Sequence, residues 1–314
     1  MQALYDVPAP AKINLFLHVV GKRADGYHLL QSIFALIDWA DRLHFEIRSD
    51  GRLQRHDRGP CSDCLPPDDL CLRAARLLQQ QSGCKFGVDI QIEKNLPAGA
   101  GMGGGSSDAA STLLALNRLW GLRWPRRKLL ELGLQLGADV PFFIGGQNAL
   151  VEGIGEILHP IKLPQQRFAL LKPAQGISTR EIFSSPLLAR SDFLAIVAGF
   201  PAYSQDLGPD KSSATGLDGF DDSYAKVLSA GFGRNDLQKP AEACCEEVVQ
   251  ALAMLKDRFG NSRMTGSGSA VFARIEDEAS LSDQPLFSQD LPAGWIGKTC
   301  NSLDRHPLQG WSAD

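Results

Sequence analysis

Residues 96–111, Leu-Pro-Ala-Gly-Ala-Gly-Met-Gly-Gly-Gly-Ser-Ser-Asp-Ala-Ala-Ser, limit what this chain can fold into more than any other stretch. Ahead of them, residues 86–94 alternate apolar Val88, Ile90 and Ile92 with polar Asp89, Gln91 and Glu93, the pattern of a half-buried strand. Behind them, residues 109–120 are rich in Ala and Leu and stop at Gly121, the pattern of a helix with a glycine cap. The order is strand, glycine loop, helix. Gly99, Gly101, Gly103, Gly104 and Gly105 leave little side chain to hold the backbone off a ligand, and many N–H groups free to converge. Ser106, Ser107 and Asp108 follow at the helix start, where the dipole favours an anion, so a phosphate group suits this place. A Walker loop fits poorly, because Gly105 is followed by Ser106 with no Gly-Lys-Ser/Thr ending. A dinucleotide fingerprint is disfavoured as well, since residues 120–124 offer no acidic residue for a ribose.

The chain of 314 residues suits two domains, with 44% hydrophobic and 22% charged residues, the balance of a soluble globular protein. A net charge of −4 gives no field for nucleic acid or anionic membrane, so phosphate recognition is expected to be local. No apolar run approaches a membrane span and the N-terminus lacks a signal-peptide layout, which together predict a cytoplasmic protein without a membrane partner. Of seven cysteines, Cys61, Cys64, Cys71 and Cys84 invite a four-thiolate zinc reading. Cys71 falls inside an amphipathic helical pattern and Cys84 stands alone, so reduced structural thiols are expected instead.

From Lys12 the N-terminal segment alternates Ile13, Leu15, Leu17 and Val19 with Lys12, Asn14 and His18, which predicts a strand whose polar face is solvated. Residues 21–26 have turn chemistry, followed by Tyr27, His28 and β-like runs over 29–37 and 43–47. Tyr27 and His28 suit either rim packing or contact with a planar base. A helix is expected from about Asp69, and another over 125–136 with Arg126, Arg127 and Lys128 outward. Asp139 then sits between a helix end and Pro141, where a turn or capping role is the ordinary one. Residues 161–164 are the expected crossing between domains at 1–162 and 163–314, the second carrying an irregular insertion at about 200–233. Beyond it, Asn235-Asp236-Leu237 precedes an expected single helix over 241–259, then a second glycine cluster at 264–273 and a weakly patterned tail.

Residues 10–15 (Pro-Ala-Lys-Ile-Asn-Leu), 96–108 and 265–268 (Thr-Gly-Ser-Gly), in that order, resemble the three signatures of the GHMP small-molecule kinases, named for galactokinase, homoserine, mevalonate and phosphomevalonate kinases. Gly26-Tyr-His28, residues 137–143 and Asn235-Asp-Leu237 are most similar to the branch of that superfamily acting on a cytidine-diphosphate-linked methylerythritol. The resemblance implies an α+β, two-domain fold, with a ribosomal S5 domain 2-like N-terminal domain and a ferredoxin-like C-terminal domain. It implies ATP-dependent phosphorylation of the 2-hydroxyl of that substrate in non-mevalonate isoprenoid synthesis, with ATP and Mg2+ as cofactors. On this sequence it places Asp139 as general base and Lys12 as charge stabiliser, and wraps ATP with Pro97, Gly99, Gly101, Gly103, Gly104, Gly105, Ser106 and Ser107. It puts Lys94, Asp69 and Leu70 at the adenine pocket, although Asp69 departs from the usual Asn. Asn14, Tyr27, His28, Thr179, Phe183, Gly266 and Ser267 become substrate residues, with Ser106 or Ser107 on magnesium. A monomer or weak homodimer is implied. The alternatives are another GHMP kinase, of mevalonate or homoserine type, and a non-catalytic sensor on the same fold.

Overall fold

The computed structural model describes residues 2–58, 65–189, 234–276 and 291–313. The insertion expected at 200–233, together with Cys61 and Cys64, lies outside them. The chain forms two compact units, one of residues 1–13, 36–147 and 300–314, the other of residues 14–35 and 148–299. These boundaries differ from the expected division at 162, because two long strands, β1 (Ala3–Lys22) and β2 (His28–Arg48), each give residues to both units. The second merges what the sequence presents as two runs, 29–37 and 43–47. Asp38 and Asp41 interrupt the apolar pattern, but the strand runs on through them.

In the first unit, β4 (Gly87–Glu93) pairs antiparallel with the far half of β2, Arg42 opposite Glu93 and Arg48 opposite Gly87. β3 (Leu53–Arg58) pairs parallel with β4 on its other side. Among its described residues this unit has the α-helices α1 (Leu70–Ser82), α2 (Gly104–Leu119), α3 (Arg126–Leu136) and α4 (Val140–Gly145). Helix α2 has twelve buried residues out of 16, including Ala109, Ala110, Leu113 and Leu116, as expected of a helix with neighbours on most sides. It starts five residues earlier than Ala and Leu content alone predicts, at Gly104, where Gly103 takes φ 70° as N-cap. Helix α1 starts where expected: Asp69 is its N-cap and accepts the Leu72 N–H at 3.0 Å. The last residues, read as a weakly patterned tail, are threaded into this unit. Leu303 N donates to Leu36 O, and His306 N to Gly146 O. Arg126, expected outward, donates to the carbonyls of Ile144, Gln309 and Ser312 and thereby secures the tail. Its flanking residues carry no signal of this, because the acceptors come from elsewhere in the chain.

In the second unit, β5 (Ala149–Glu152) pairs with the near half of β2 and with β6 (Ile157–Pro160). β7 (Arg167–Lys172), β8 (Arg263–Met264), β9 (Val271–Ile275) and β10 (Ile296–Asn301) make the four-stranded order β10-β7-β9-β8. Helix α5 (Thr179–Ser184) follows β7. The helix expected over 241–259 is two, α6 (Gln238–Cys244) and α7 (Glu246–Phe259), parted at Cys245, whose φ of −144° and ψ of 100° are extended. Glu246 and Glu247 in the first turn of α7 are the start signal that an unbroken apolar period conceals. Leu17, Val19, Ala169, Leu171, Val248, Leu252, Met264 and Val271 form the core of this unit.

Candidate functional site

The glycine loop is held by its apolar members. Ala100 and Met102 are 3% and 2% exposed, while Gly99 is exposed and Gly101 and Gly103 half-buried. Gly99, Gly101 and Gly103 have φ of 60°, 70° and 70°, which side chains resist, so each turn of the loop needs its glycine. Lys12 N donates to Met102 O at 3.0 Å and ties the loop to β1. A β-carbon on Gly103 would lie 3.0 Å from Cζ of Phe143 and 3.4 Å from Cε of Lys12, so only glycine lets the backbone approach these side chains so closely.

Lys12 and Asp139 meet beside this loop. Nζ of Lys12 is 3.7 Å from Oδ2 of Asp139, with the lysine side chain 4% exposed and the aspartate 32%. The solvated polar face expected for β1 is therefore not observed, since Lys12, Asn14 and His18 are all buried. Alternation reports that one face is apolar; whether the other face is covered depends on what packs there. Burial pushes the Lys12 ammonium below its usual 10.5, and the Asp139 charge opposes that shift. Asp139 is the N-cap of α4 but makes no side-chain capping bond, so its carboxylate is available for other chemistry. Asp139 thus occupies the expected turn and N-cap position, but without the side-chain bond of a cap.

The two serines at the start of α2 are unlike. Ser107 is fully buried and its hydroxyl donates to Pro10 O at 2.7 Å, a second tie to β1. Ser106 is half-buried, and its Oγ would be 4.0 Å from a β-carbon on Gly137, near the turn that carries Asp139. Leu70 borders the same helix end, with Cδ1 3.6 Å from where a β-carbon on Gly105 would lie. Pro97 is half-buried at the loop entrance.

Lys94 and Asp69 are committed to structural pairs. Lys94 is 3% exposed; its ammonium donates to Asp108 Oδ2 at 2.8 Å and to Asp41 Oδ2. Burial opposes that charge, but the Asp108 and Asp41 carboxylates outweigh it and raise the ammonium well above its usual range. Asp41 Oδ1 also accepts the Asn95 and Leu96 N–H groups at 2.6 and 2.7 Å, at the mouth of the glycine loop. Asp108 Oδ1 has no partner, and burial, helped by Asp41 and opposed by Lys94, raises this carboxyl above its usual range. Sequence reading missed Asp41, which nothing in its flanks distinguishes. Asp69, besides capping α1, lies 2.9 Å from Nη1 of Arg55, a partner likewise missed.

The second unit gathers other predicted residues. Asn14 is 1% exposed; its N–H donates to Thr265 Oγ1 at 2.9 Å and its Nδ2 to Ser32 Oγ at 2.8 Å. Thr179 Oγ1 and Ser267 Oγ are 2.7 Å apart, and Gly266 has φ 54°. His28 and Phe183 stack, with ring centroids 5.1 Å apart and planes at 24°, while Tyr27 is 59% exposed. Among the described residues no group of three or more His, Cys, Asp or Glu could hold a metal ion, and Cys71 and Cys84 are free thiols. No described helix is long and apolar enough to cross a membrane.

The GHMP kinases N terminal domain matches residues 69–147, and the GHMP kinases C terminal domain matches residues 224–283. A 4-diphosphocytidyl-2-C-methyl-D-erythritol kinase of Methylibium petroleiphilum is 57% identical over 312 residues, which cover 99% of both chains. This chain belongs to that kinase family. A second family member, from Variovorax paradoxus, is 51% identical over 315 residues, covering 99% of this chain and 100% of the relative. The crystal structure of a 4-(cytidine 5'-diphospho)-2C-methyl-D-erythritol kinase superposes with TM-score 0.65 at 34% identity, covering 87% of this chain and 91% of the other. Homoserine kinase from Cytophaga hutchinsonii gives TM-score 0.70 at 14% identity over 98% and 96% of the two chains, a likeness of fold alone. The α+β GHMP kinase fold expected from the three signatures is the fold observed.

Proposed function

We propose that this protein transfers the γ-phosphoryl group of ATP to the 2-hydroxyl of 4-diphosphocytidyl-2-C-methyl-D-erythritol. The observation that carries the reading is the Lys12–Asp139 pair, 3.7 Å apart beside a glycine loop at a helix start. Family membership supports the same reading. Phosphoryl transfer asks a protein mainly for positioning and charge stabilisation, the chemistry these parts supply.

The residues fit a nucleoside triphosphate. Glycines leave the loop backbone bare, and the N-terminus of α2 has no side-chain cap competing for its N–H groups. Ser106 is the better candidate for Mg2+, because Ser107 is wholly buried with its hydroxyl on Pro10 O. When bound, ATP supplies the phosphoryl group and Mg2+ neutralises its oxygens. Asp139, with a third of its side chain exposed, accepts the proton of the acceptor hydroxyl. The Lys12 ammonium stabilises negative charge developing on the acceptor and transferred oxygens. Tyr27 and Phe183 hold the cytosine ring and His28 reads its edge; Asn14, Thr179, Gly266 and Ser267 position the remainder of the acceptor. Lys94 and Asp69 act by shaping the surroundings of the adenine, since their charges are already paired.

The test is ADP release with magnesium and ATP, comparing the cytidine diphosphate acceptor with mevalonate and homoserine. Turnover with the cytidine acceptor alone is expected. Turnover confined to another acceptor, or ATP binding without any ADP formed, refutes the assignment.

A further inference from the structure

Residues 234–238 join β1 to the second glycine motif. Leu17 N donates to Arg234 O at 3.0 Å and Asp236 N to Leu17 O at 2.8 Å, a parallel bridge onto β1 at Leu17 and Asn235. Asp236 Oδ2 then accepts the Val19 N–H at 2.9 Å, while its Oδ1 accepts from Nε of Arg234 at 2.7 Å. On the other side, Asn235 Nδ2 donates to both Met264 O and Gly266 O, each at 2.8 Å. Its Oδ1 accepts the Leu237 N–H at 2.9 Å, which fixes which end of the carboxamide faces the motif. Gln238 adds one further bond, its Oε1 accepting from Met264 N at 3.0 Å.

One buried carboxamide thus spends both hydrogens on the carbonyls that flank Thr265. Thr265 is the residue whose Oγ1 accepts the Asn14 N–H, and Ser267, one residue past Gly266, meets Thr179. The Gly266 backbone, at φ 54°, has a wide conformational choice that no side chain of its own restricts. We infer that Asn235 is a positioning residue for acceptor binding: by clamping Met264 O and Gly266 O it sets the place of Thr265 and Ser267 relative to Asn14 and Thr179. This deepens the reading given under Proposed function and rests on it for the nature of the acceptor. The isosteric aspartate cannot replace it, since an acceptor oxygen would then face both carbonyls in place of the Nδ2 donor.

The test uses Asn235→Ala and Asn235→Ser in the full-length protein. In the kinetic arm, two buried carbonyls left without a donor predict a fall of ~30-fold or more in kcat/KM for the acceptor. ATP affinity, measured by direct binding, stays within about twofold, which a general loss of structure would not permit. In the exchange arm, amides in residues 264–268 exchange faster than in wild type while those in residues 96–107 do not change. Unaltered acceptor kinetics in a folded variant, equal loss of ATP affinity, or failure of both variants to fold each overturns the proposal. The kinetic arm runs with whichever acceptor wild type turns over, so a wrong acceptor assignment reveals itself in wild type before any variant is measured. If wild type turns over none, the exchange arm decides, and unchanged exchange at 264–268 overturns the proposal.

Discussion

Replacing Lys94 by methionine removes the cation from a buried group of one ammonium and two carboxyls and leaves both carboxyls without it. The ammonium lies 2.8 Å from Asp108 Oδ2 and also contacts Asp41, whose side chain is 0% exposed. At an effective dielectric of about 20, one charge pair at that separation amounts to ~6 kcal/mol before desolvation. Desolvation of the ions cancels much of this, so breaking the group by removing one member is expected to cost ~3–5 kcal/mol. That is a large share of a stability of about 10 kcal/mol. The loss also depends on pH. Burial raises the Asp108 carboxyl, so the folded state holds a proton that the unfolded state has released. Stability from this group is therefore present at acid pH and declines as pH rises through the folded value. Lys94 is what restrains that rise, so without it the decline continues to higher pH, and the gap between variant and wild type narrows as pH falls. Urea unfolding followed by tryptophan fluorescence at pH 8 and pH 5.5 measures this. Trp39, Trp120, Trp124 and Trp311 report the unit that contains Lys94. A loss below ~1 kcal/mol at pH 8, or a gap that does not change with pH, refutes the reasoning.

Asp139→Asn keeps ATP binding and loses most turnover, the loss being on the order of 10²–10⁴-fold as for a general base, read by ADP release alongside nucleotide binding. Gly103→Ala meets both a φ of 70° and the Phe143 ring 3.0 Å away; it should cost ~1–2 kcal/mol in stability and weaken ATP binding, measured by denaturation and calorimetry. Burial lowers the Lys12 ammonium, so the alkaline limb of kcat/KM is expected below the ordinary lysine range and to move upward in kcat, where bound phosphate favours the charged form; coincident limbs count against this. His306, 1% exposed, is pushed down to about 3 by burial, so the folded form stays neutral while the unfolded form takes a proton below about 6.5. Stability is intact above that value and falls by ~2 kcal/mol between pH 7 and 5, a slope that His306→Asn should remove in urea unfolding.

Much of the first unit is written locally. The alternation of Val88, Ile90 and Ile92 gives β4, Asp69 gives the start of α1, and Pro125 and Gly137 bracket α3. The glycine run was legible as a phosphate-binding candidate because close backbone approach requires glycine, whereas Lys12 and Asp139 became candidates only through the resemblance of their motifs to the GHMP kinases. Less was legible where a boundary depends on competing local signals: α2 begins at Gly104 although glycines argue against it, and α6 and α7 part at Cys245 within an apolar period.

The sequence by itself determined the strand–loop–helix order around Gly103 and the kinase superfamily to which its motifs point. The tertiary structure decided which polar groups are spent. It buried Lys12 and Asn14 on a strand face that alternation left open, and turned Arg126 inward to hold the last residues. It also gave Lys94 to Asp41 and Asp108, and Asn235 to the carbonyls of Met264 and Gly266. Those partners lie 14 to 53 positions from Lys94 and 29 to 31 from Asn235. Periodicity extends over only a few residues, whereas charge pairing and hydrogen bonding act through space, so the partners become visible only once the chain has brought them together.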